Sequence, residues 1–268
     1  MPTALATEAP LTLLEGPQTF QLFPDNKDIP GYAQIIHGTL SELRPQFEQA
    51  NSRGMGIYYT VNQTDLQGRK AENIKAVRSY ICDIDDIPDA KDKLDKILEL
   101  IRSKLPPSAI IESKNGLHCY WYAKEGESTD QREYANVNQH LINRFGGCAQ
   151  SKDLARVLRV PGYLHQKDLD NPFLVKRVIE YPERRYTGEQ LKAAFPLPVK
   201  KPEPYTFDRR RSDQPDKEEE ITEEVSEFRW RSTVEGLAAW KPVDGMKHTV
   251  LLLAFGVARK YQIPQSRA

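Results

Sequence analysis

Apolar and polar residues follow two rhythms along this chain, and the switches between them outline an ordered set of elements. Leu40 to Ala50 predicts a helix, stopped by Asn51-Ser52-Arg53-Gly54. Gly56-Ile57-Tyr58-Tyr59-Thr60-Val61, rich in aromatic and β-branched residues, predicts a buried strand. A polar loop from Asn62 to Asn73 follows, then a strand over Tyr80–Asp85. Between Asp89 and Leu105, Leu94, Ile97, Leu98 and Ile101 recur at helical spacing, and Pro106-Pro107 ends that helix. Strands Ala109–Glu112 and Leu117–Tyr122 flank Ser113-Lys114-Asn115-Gly116, whose Asn-Gly pair is a strong hairpin signal. A helix over Thr129–Phe145 stops at Gly146-Gly147, and strands near Val157–Val160 and Leu174–Glu180 follow. Thr187-Gly188-Glu189-Gln190 reads as a capping box opening a short helix to Phe195.

The pattern fades at both ends. Residues 1–18 carry little of it and are expected to be loosely attached. Pro196 to Glu224 holds five prolines, a basic run at Arg209-Arg210-Arg211 and an acidic run at Glu218-Glu219-Glu220, which reads as a solvated linker. Beyond it, Val234–Trp240 and Met246–Tyr261 look helical, in a module with too little core to be stable alone. The expected division is a domain over 1–195, a linker over 196–225 and a helical module over 226–268. Gln265-Ser266-Arg267-Ala268 reads as a cut in a longer protein. The fold class expected is α+β.

Charge balances over the whole chain, with 38 Lys plus Arg against 38 Asp plus Glu, so any affinity for polyanions must come from local patches. One such crowd spans Arg156, Arg159, Lys167, Lys176, Arg177, Arg184 and Arg185. Cys82, Cys119 and Cys148 are far apart and form no CxxC pair, which argues against a disulfide framework and against a zinc knuckle. Cys82 and Cys119 sit in apolar strand patterns and read as small buried hydrophobes. The N-terminus lacks a basic segment followed by an apolar run, and the longest apolar stretch, near Val250–Val257, is too short for a bilayer. A soluble, cytoplasmic protein with no membrane partner is expected, in a bacterial host or encoded by a virus.

Three blocks carry candidate chemistry. In Ser79-Tyr80-Ile81-Cys82-Asp83-Ile84-Asp85-Asp86, period-2 geometry puts Asp83 and Asp85 on one face. Two such carboxylates repel unless a cation sits between them, and Mg²⁺ favours a few carboxylates plus phosphate oxygens. Read alone, the same acids could simply face water. In the second block His118 shares the polar face of its strand with Tyr120 and Tyr122, opposite Leu117, Cys119 and Trp121. Ser113 and Lys114 just before it can offer an amide and an ammonium to phosphate, or only form a turn. In the third, Asp153 could complete a set of three acids, or cap a loop. Arg156 and Arg159 flank an apolar strand, with Lys167 after Pro161-Gly162, where they could hold a triphosphate or lie on the surface. His165 is assigned no chemistry.

In this order and spacing the blocks resemble the archaeo-eukaryotic primase superfamily, in particular the primase-polymerases of phages, plasmids and other mobile elements. Asp83-Ile84-Asp85 matches the first motif, His118 in Asn-Gly-Leu-His-Cys-Tyr-Trp the second, and Asp153 ahead of Arg-Val-Leu-Arg-Val-Pro-Gly the third. Gly56–Asn62 looks like the stretch before the first motif. The resemblance covers about residues 20–195, and Asp244-Gly245-Met246-Lys247-His248 is more loosely similar to a helical module that follows many such domains. One departure is Gly116, where many members carry Ser two residues before the histidine.

The resemblance implies an RRM-like antiparallel palm. Asp83, Asp85 and Asp153 would bind two Mg²⁺ or Mn²⁺ ions, with no zinc, and His118 would contact the incoming triphosphate with Arg159 and Lys167 as helpers. It implies nucleotidyl transfer from dNTPs or NTPs on a single-stranded DNA template, making or extending primers, with a replicative helicase as a further partner. Two other readings stay open. A rolling-circle nickase would want His-hydrophobic-His, and here the strand reads His118-Cys119-Tyr120. A non-catalytic module binding single-stranded DNA and loading a helicase could stack bases on Tyr58, Tyr59, Tyr120, Trp121 or Tyr122.

Overall fold

The computed structural model describes residues 11–198 other than 30 and 88. The linker, beyond its first three residues, and the helical module expected at 226–268 lie outside the described residues, as do residues 1–10.

Two sheets organise the described part. The first is antiparallel in the order β2-β1-β3-β9, from β1 (Pro17–Pro24), β2 (Gln34–Thr39), β3 (Met55–Thr60) and β9 (Val157–Arg159). The helix α1 (Leu40–Ser52) follows β2, opened by a capping box in which Thr39 and Glu42 bond each other's backbone. The chain then forms a small ladder, β4 (Gln63–Thr64) with β5 (Ile74–Ala76), where the sequence suggested only loop. The second sheet, the palm, grows from β6 (Ser79–Ile84), α2 (Ala90–Ile101), β7 (Ala109–Glu112), β8 (Leu117–Ala123) and α3 (Gln131–Phe145). A two-strand ladder, β10 (Leu164–His165) with β11 (Phe173–Leu174), precedes the edge strand β12 (Lys176–Glu180). The strand β13 (Arg185–Tyr186) and the helix α4 (Gly188–Ala194) complete the described part. In the palm β8 lies between β7 and β6, both antiparallel to it, β12 pairs with β7, and β13 runs parallel to the end of β8.

Strand parity divides the core. Leu117, Cys119 and Trp121 of β8 join Cys82 and Ile84 of β6 against Leu100, Tyr134, Leu141, Phe145 and Leu191 of the helices. Tyr120 and Tyr122, with Ile81 and Ile111, face the first sheet and pack with Phe20, Ile57, Tyr59 and Phe47. The second face of β8 is therefore a core face rather than a polar one, and His118 sits at its end. Leu11, Leu13 and Leu14 are also buried there, and Thr12 N donates to Glu180 at 2.7 Å. Residues 11–18 are thus tied down, against expectation, because three leucines fill the margin of the shared core. Arg78 fastens the sheets together, donating to the carbonyls of Leu13, Thr60 and Val61.

The helical phase of α2 departs from the apolar spacing in sequence. Leu94, Leu98 and Ile101 are exposed, whereas Leu100 and Lys93 are buried. The ammonium of Lys93 donates to the carbonyls of Ser113 and Lys114 at 2.7 and 2.9 Å and pairs with Glu112 at 3.2 Å, so it holds the β7–β8 hairpin from beneath.

Among the described residues the outer edge of β6 has no strand partner. Its amides are met by side chains: Ile81 N donates to Asn138 Oδ1 at 3.1 Å and Asp83 N to Ser151 Oγ at 2.9 Å, while Asn138 Nδ2 donates to Ser151 O at 2.7 Å. Asn138 and Ser151 are fully buried. Replacing Asn138 by Ala orphans the Ile81 amide and the Ser151 carbonyl, and is expected to cost about 2–6 kcal/mol of unfolding free energy, at roughly 1–3 kcal/mol for each buried unsatisfied group. Urea titration of the variant beside wild type checks this; a loss near zero would mean that the edge is satisfied in another way.

Candidate active site

Asp83 lies on β6 directly opposite His118 on β8, and both side chains take the parity that faces the first sheet. They are 4% and 6% exposed. Arg156 Nη2 donates to Asp83 Oδ2 at 2.8 Å, and His118 Nε2 lies 3.7 Å from Oδ1. Asp83 Oδ1, His118 Nδ1 and Arg156 Nε are buried without a hydrogen-bond partner. Polar atoms that have lost water normally find partners, so three orphans around one carboxylate mark a place built for something else. Burial holds the His118 imidazole below its usual pKa, although the charge of Asp83 works the other way.

Asp85 stands just beyond the end of β6, and the chain turns at Asp86, whose φ is +61°. Burial, followed by the charge of Asp83, raises the Asp85 pKa above the ordinary carboxylate value. The β7–β8 hairpin lies directly on this strand end: Ile87 N donates to Asn115 O at 2.8 Å. A Cβ on Gly116 would come within 1.8 Å of Ile84 O. Gly116 is therefore required by close backbone approach.

Cys148 reaches the same acids. Its Sγ is 3.6 Å from Asp83 Oδ2, and Asp83, Asp85 and Cys148 each offer a ligand atom within 4.8 Å of the others. Two carboxylates, one with an orphaned oxygen, suit a divalent cation. Burial, and then the charge of Asp83, pushes the Cys148 thiol up.

The opposite wall comes from β9 and the segment that leads from it into β10 and beyond. Arg159 forms a bidentate pair with Asp25, Nη2 to Oδ1 at 2.8 Å and Nη1 to Oδ2 at 3.0 Å, and lies over the Tyr58 ring. Phe23 stacks on Tyr58 at 4.3 Å. Asp25 also accepts from Gln166 N at 2.7 Å and Tyr58 Oη at 3.2 Å, so one fully buried carboxylate orients Arg159 and the segment carrying His165 and Lys167. Burial and the charge of Arg159 hold His165 down at about 4. Between these walls lies a cleft of about 270 Å³ lined by Tyr58, Asp83, Asp85, Ser113, Asn115, His118, Arg156, Arg159, His165 and Lys167, among others.

The structure thus brings together Asp83, Asp85, Ser113, His118, Arg159 and Lys167. It does not bring Lys114 or Asp153 to them. Lys114 is turned away by Asp168 at 3.1 Å and the Asn171 carbonyl at 2.7 Å. Asp153 is exposed, its carboxylate accepting from Ala155 N at 3.0 Å in its own turn. Tyr58 is sandwiched between Phe23 and Arg159, which removes its faces from base stacking, and Tyr59, Tyr120, Trp121 and Tyr122 are core. The sequence reading missed Asp25, Cys148 and His165. Asp25 sits in a bend just after β1, in a stretch where the sequence reading placed no element and no motif. Among the described residues no helix is long and apolar enough to cross a membrane.

The family model for the RepB DNA-primase N-terminal domain matches residues 44–188. A replication protein of Clostridium perfringens is 27% identical over 183 residues, which cover 65% of this chain and 43% of that protein; the chain spans less than half of its relative's length. The AEP domain of the cyanophage S-2L primase-polymerase superposes with a TM-score of 0.54 at 17% identity, over 69% of this chain and 93% of that one. This likeness agrees with the expected α+β fold. The catalytic domain of primase RepB′ in complex with initiator DNA gives 0.46 at 14% identity, over 67% of this chain and 85% of that one.

Removing one member of a buried ion pair leaves the other uncompensated, so Asp25→Ala is expected to lower stability by about 3–5 kcal/mol. Asp25→Asn, which keeps part of the hydrogen bonding, should lose less; equal losses in urea unfolding would show that the geometry around Arg159 does not depend on these bonds. His165 gives a pH dependence. Its folded pKa is depressed, so below its ordinary 6.5 the unfolded chain takes a proton that the folded one refuses. Stability is therefore lost as pH falls from 6.5 towards about 4. His165→Gln should flatten this loss from neutral pH down to about pH 5, above the main carboxylate range; an unchanged slope would refute it.

Proposed function

This chain belongs to the RepB DNA-primase N-terminal domain family, of the mobile-element primase-polymerase type, and on that premise we propose that it is a nucleotidyltransferase. In this reading it copies single-stranded DNA with dNTPs or NTPs, making or extending primers in phage or plasmid replication, with a helicase as a later partner. The observation that carries the reading is the Asp83 carboxylate, buried and paired with Arg156 yet with Oδ1 unpartnered, beside Asp85 and across a cleft from Arg159 and Lys167. Acids on one wall and cations on the other suit a metal-bound polyphosphate better than any neutral guest.

Asp83 and Asp85 would hold the cation. Two carboxylates and substrate phosphates supply the donors one Mg²⁺ or Mn²⁺ needs, and a second ion would draw its remaining ligands from phosphate and water. The chemistry a divalent ion supplies there is activation of a primer 3′-hydroxyl and neutralisation of the pyrophosphate leaving group. Arg159, preset by Asp25, orients the triphosphate, and Lys167 adds a point charge. His118, neutral because it is buried, can donate one ring N–H to a phosphate oxygen. Ser113 lines the cleft but gives its hydroxyl to Gly116 O at 3.2 Å, so it shapes the hairpin before it contacts phosphate. Asp153 has no part in this arrangement, because its carboxylate is held in its own turn.

The test is incubation of the full chain with single-stranded DNA, labelled dNTPs or NTPs, and Mg²⁺ or Mn²⁺, with and without a primer. Asp85→Ala is expected to lose transfer while keeping the circular dichroism of the wild type. Arg159→Ala and Lys167→Ala should raise the nucleotide KM more than they lower kcat. Product that persists in Asp85→Ala refutes the site. No product from wild type, with DNA still bound, supports a non-catalytic DNA-binding module instead.

A further inference from the structure

Among the described residues the group that joins Asp83 and Asp85 within ligand distance is a thiol, that of Cys148. We propose that Cys148 is a direct ligand of the divalent cation held by Asp83 and Asp85, and that it tilts the site towards thiophilic ions such as Mn²⁺, Co²⁺ and Zn²⁺ over Mg²⁺. This rests on the reading of Asp83 and Asp85 as cation ligands.

The sulfur is fixed relative to the acids by the backbone. Cys148 N donates to Asp83 O at 2.7 Å, so the cysteine is tied to the very residue it would share an ion with. Gly147 permits the approach: a Cβ there would lie 2.4 Å from Cys82 Sγ and 3.3 Å from Asp83 O. Cys148 Sγ then stands 3.6 Å from Asp83 Oδ2 and 3.8 Å from Ser151 Oγ. Metal–sulfur and metal–oxygen bonds of about 2.3 and 2.1 Å at a tetrahedral angle place the two ligand atoms roughly 3.6 Å apart. The observed separation, now spanned by the hydrogen bond from the thiol to Oδ2, matches that of two ligands on one ion.

The carboxylate has capacity for the ion as well. Arg156 occupies one direction at Asp83 Oδ2, while Oδ1 is buried with no partner. Cys82 and Cys119 are buried in the core, whereas Cys148 is half-buried beside Asp83, so the three thiols differ in access. Thiolate is a soft ligand that favours zinc and neighbouring ions, while Mg²⁺ takes oxygen. On binding, the metal–sulfur bond forms as the thiol proton leaves to solvent.

The experiment is titration of the full chain with Co²⁺, followed by absorbance and calorimetry. The expected result is a near-ultraviolet thiolate-to-cobalt charge-transfer band that is absent in Cys148→Ser, with Co²⁺ affinity lowered by at least about 10-fold. Cys148→Asp, which restores an all-oxygen site, should bind Mg²⁺ more tightly than wild type and Zn²⁺ more weakly. Iodoacetamide should label Cys148 in the folded protein, and bound Co²⁺ should protect it. Co²⁺ binding that is lost in Asp83→Asn but shows no charge-transfer band in wild type overturns the role of Cys148 and leaves the acids as ligands. Absence of Co²⁺, Mn²⁺ and Mg²⁺ binding overturns both this proposal and the cation reading of Asp83 and Asp85.

Discussion

A carboxylate buried to 4% exposure at the meeting of two sheets is the constraint on which the rest of this structure depends. An unpaired charge there would cost several kcal/mol, so Asp83 must be compensated. The compensation comes from the other sheet. Arg156 sits at the entry to β9, where its carbonyl accepts from Val61 N at 3.0 Å, and it reaches across to Asp83 Oδ2. The ion pair therefore spans the two sheets at the point where their shared apolar core ends. The cleft exists because the face that packs Ile81 against Tyr120 continues into Asp83 and His118, which need polar company in place of more core.

Positioning this carboxylate takes more than its partner. Among the described residues the strand that carries it has a neighbour on one side only, and a regular strand on the other would have closed the site. Asn138 and Ser151 satisfy the free edge with side chains instead, which leaves the Cys148 segment able to approach the same backbone. From the far side, Gly116 lets the hairpin rest on Ile84, and Lys93 fixes that hairpin through two of its carbonyls. Hairpin, strand edge and the turn after α3 thus converge on two consecutive odd-numbered acids, and each contact is made to backbone. Backbone contacts of this kind locate a site more closely than side-chain packing does, because each removes one direction of movement.

Much of this was legible in the sequence where a short-range rule governs. The β7–β8 hairpin followed from Asn115-Gly116, α4 from its capping box, and the shared side of Asp83 and Asp85 from period-2 alternation. What failed were inferences that depend on long-range partners. The apolar spacing of α2 gave a helix but not its phase, because Lys93 is drawn inward by carbonyls that appear only once the hairpin has formed. The first strands went unseen because β1 and β2 carry glutamine and threonine among their apolar residues; Gln18 and Thr19 are both buried, and the Thr19 hydroxyl meets His37 and Thr64, distant in sequence. Asp153 matched a pattern in one dimension, yet its own local turn claims the carboxylate. Asp25 matched no pattern and holds four hydrogen bonds.

The charge balance of the chain makes this local organisation necessary. With no net field to draw an anion, attraction must come from cations whose neighbours do not cancel them. Arg159 is held by Asp25, Arg156 by Asp83 and Lys114 by Asp168, which at first looks like complete cancellation. A guanidinium has five donors, however, and a single carboxylate satisfies only part of them. Arg156 keeps a buried Nε without a partner, and Lys167 has no carboxylate partner among the described residues. The acids thus aim the cations without spending their capacity. On the proposed reading, a guest bringing both negative phosphate and a divalent ion would answer both walls at once, since the ion would share at Asp83 the role that Arg156 fills from 2.8 Å away.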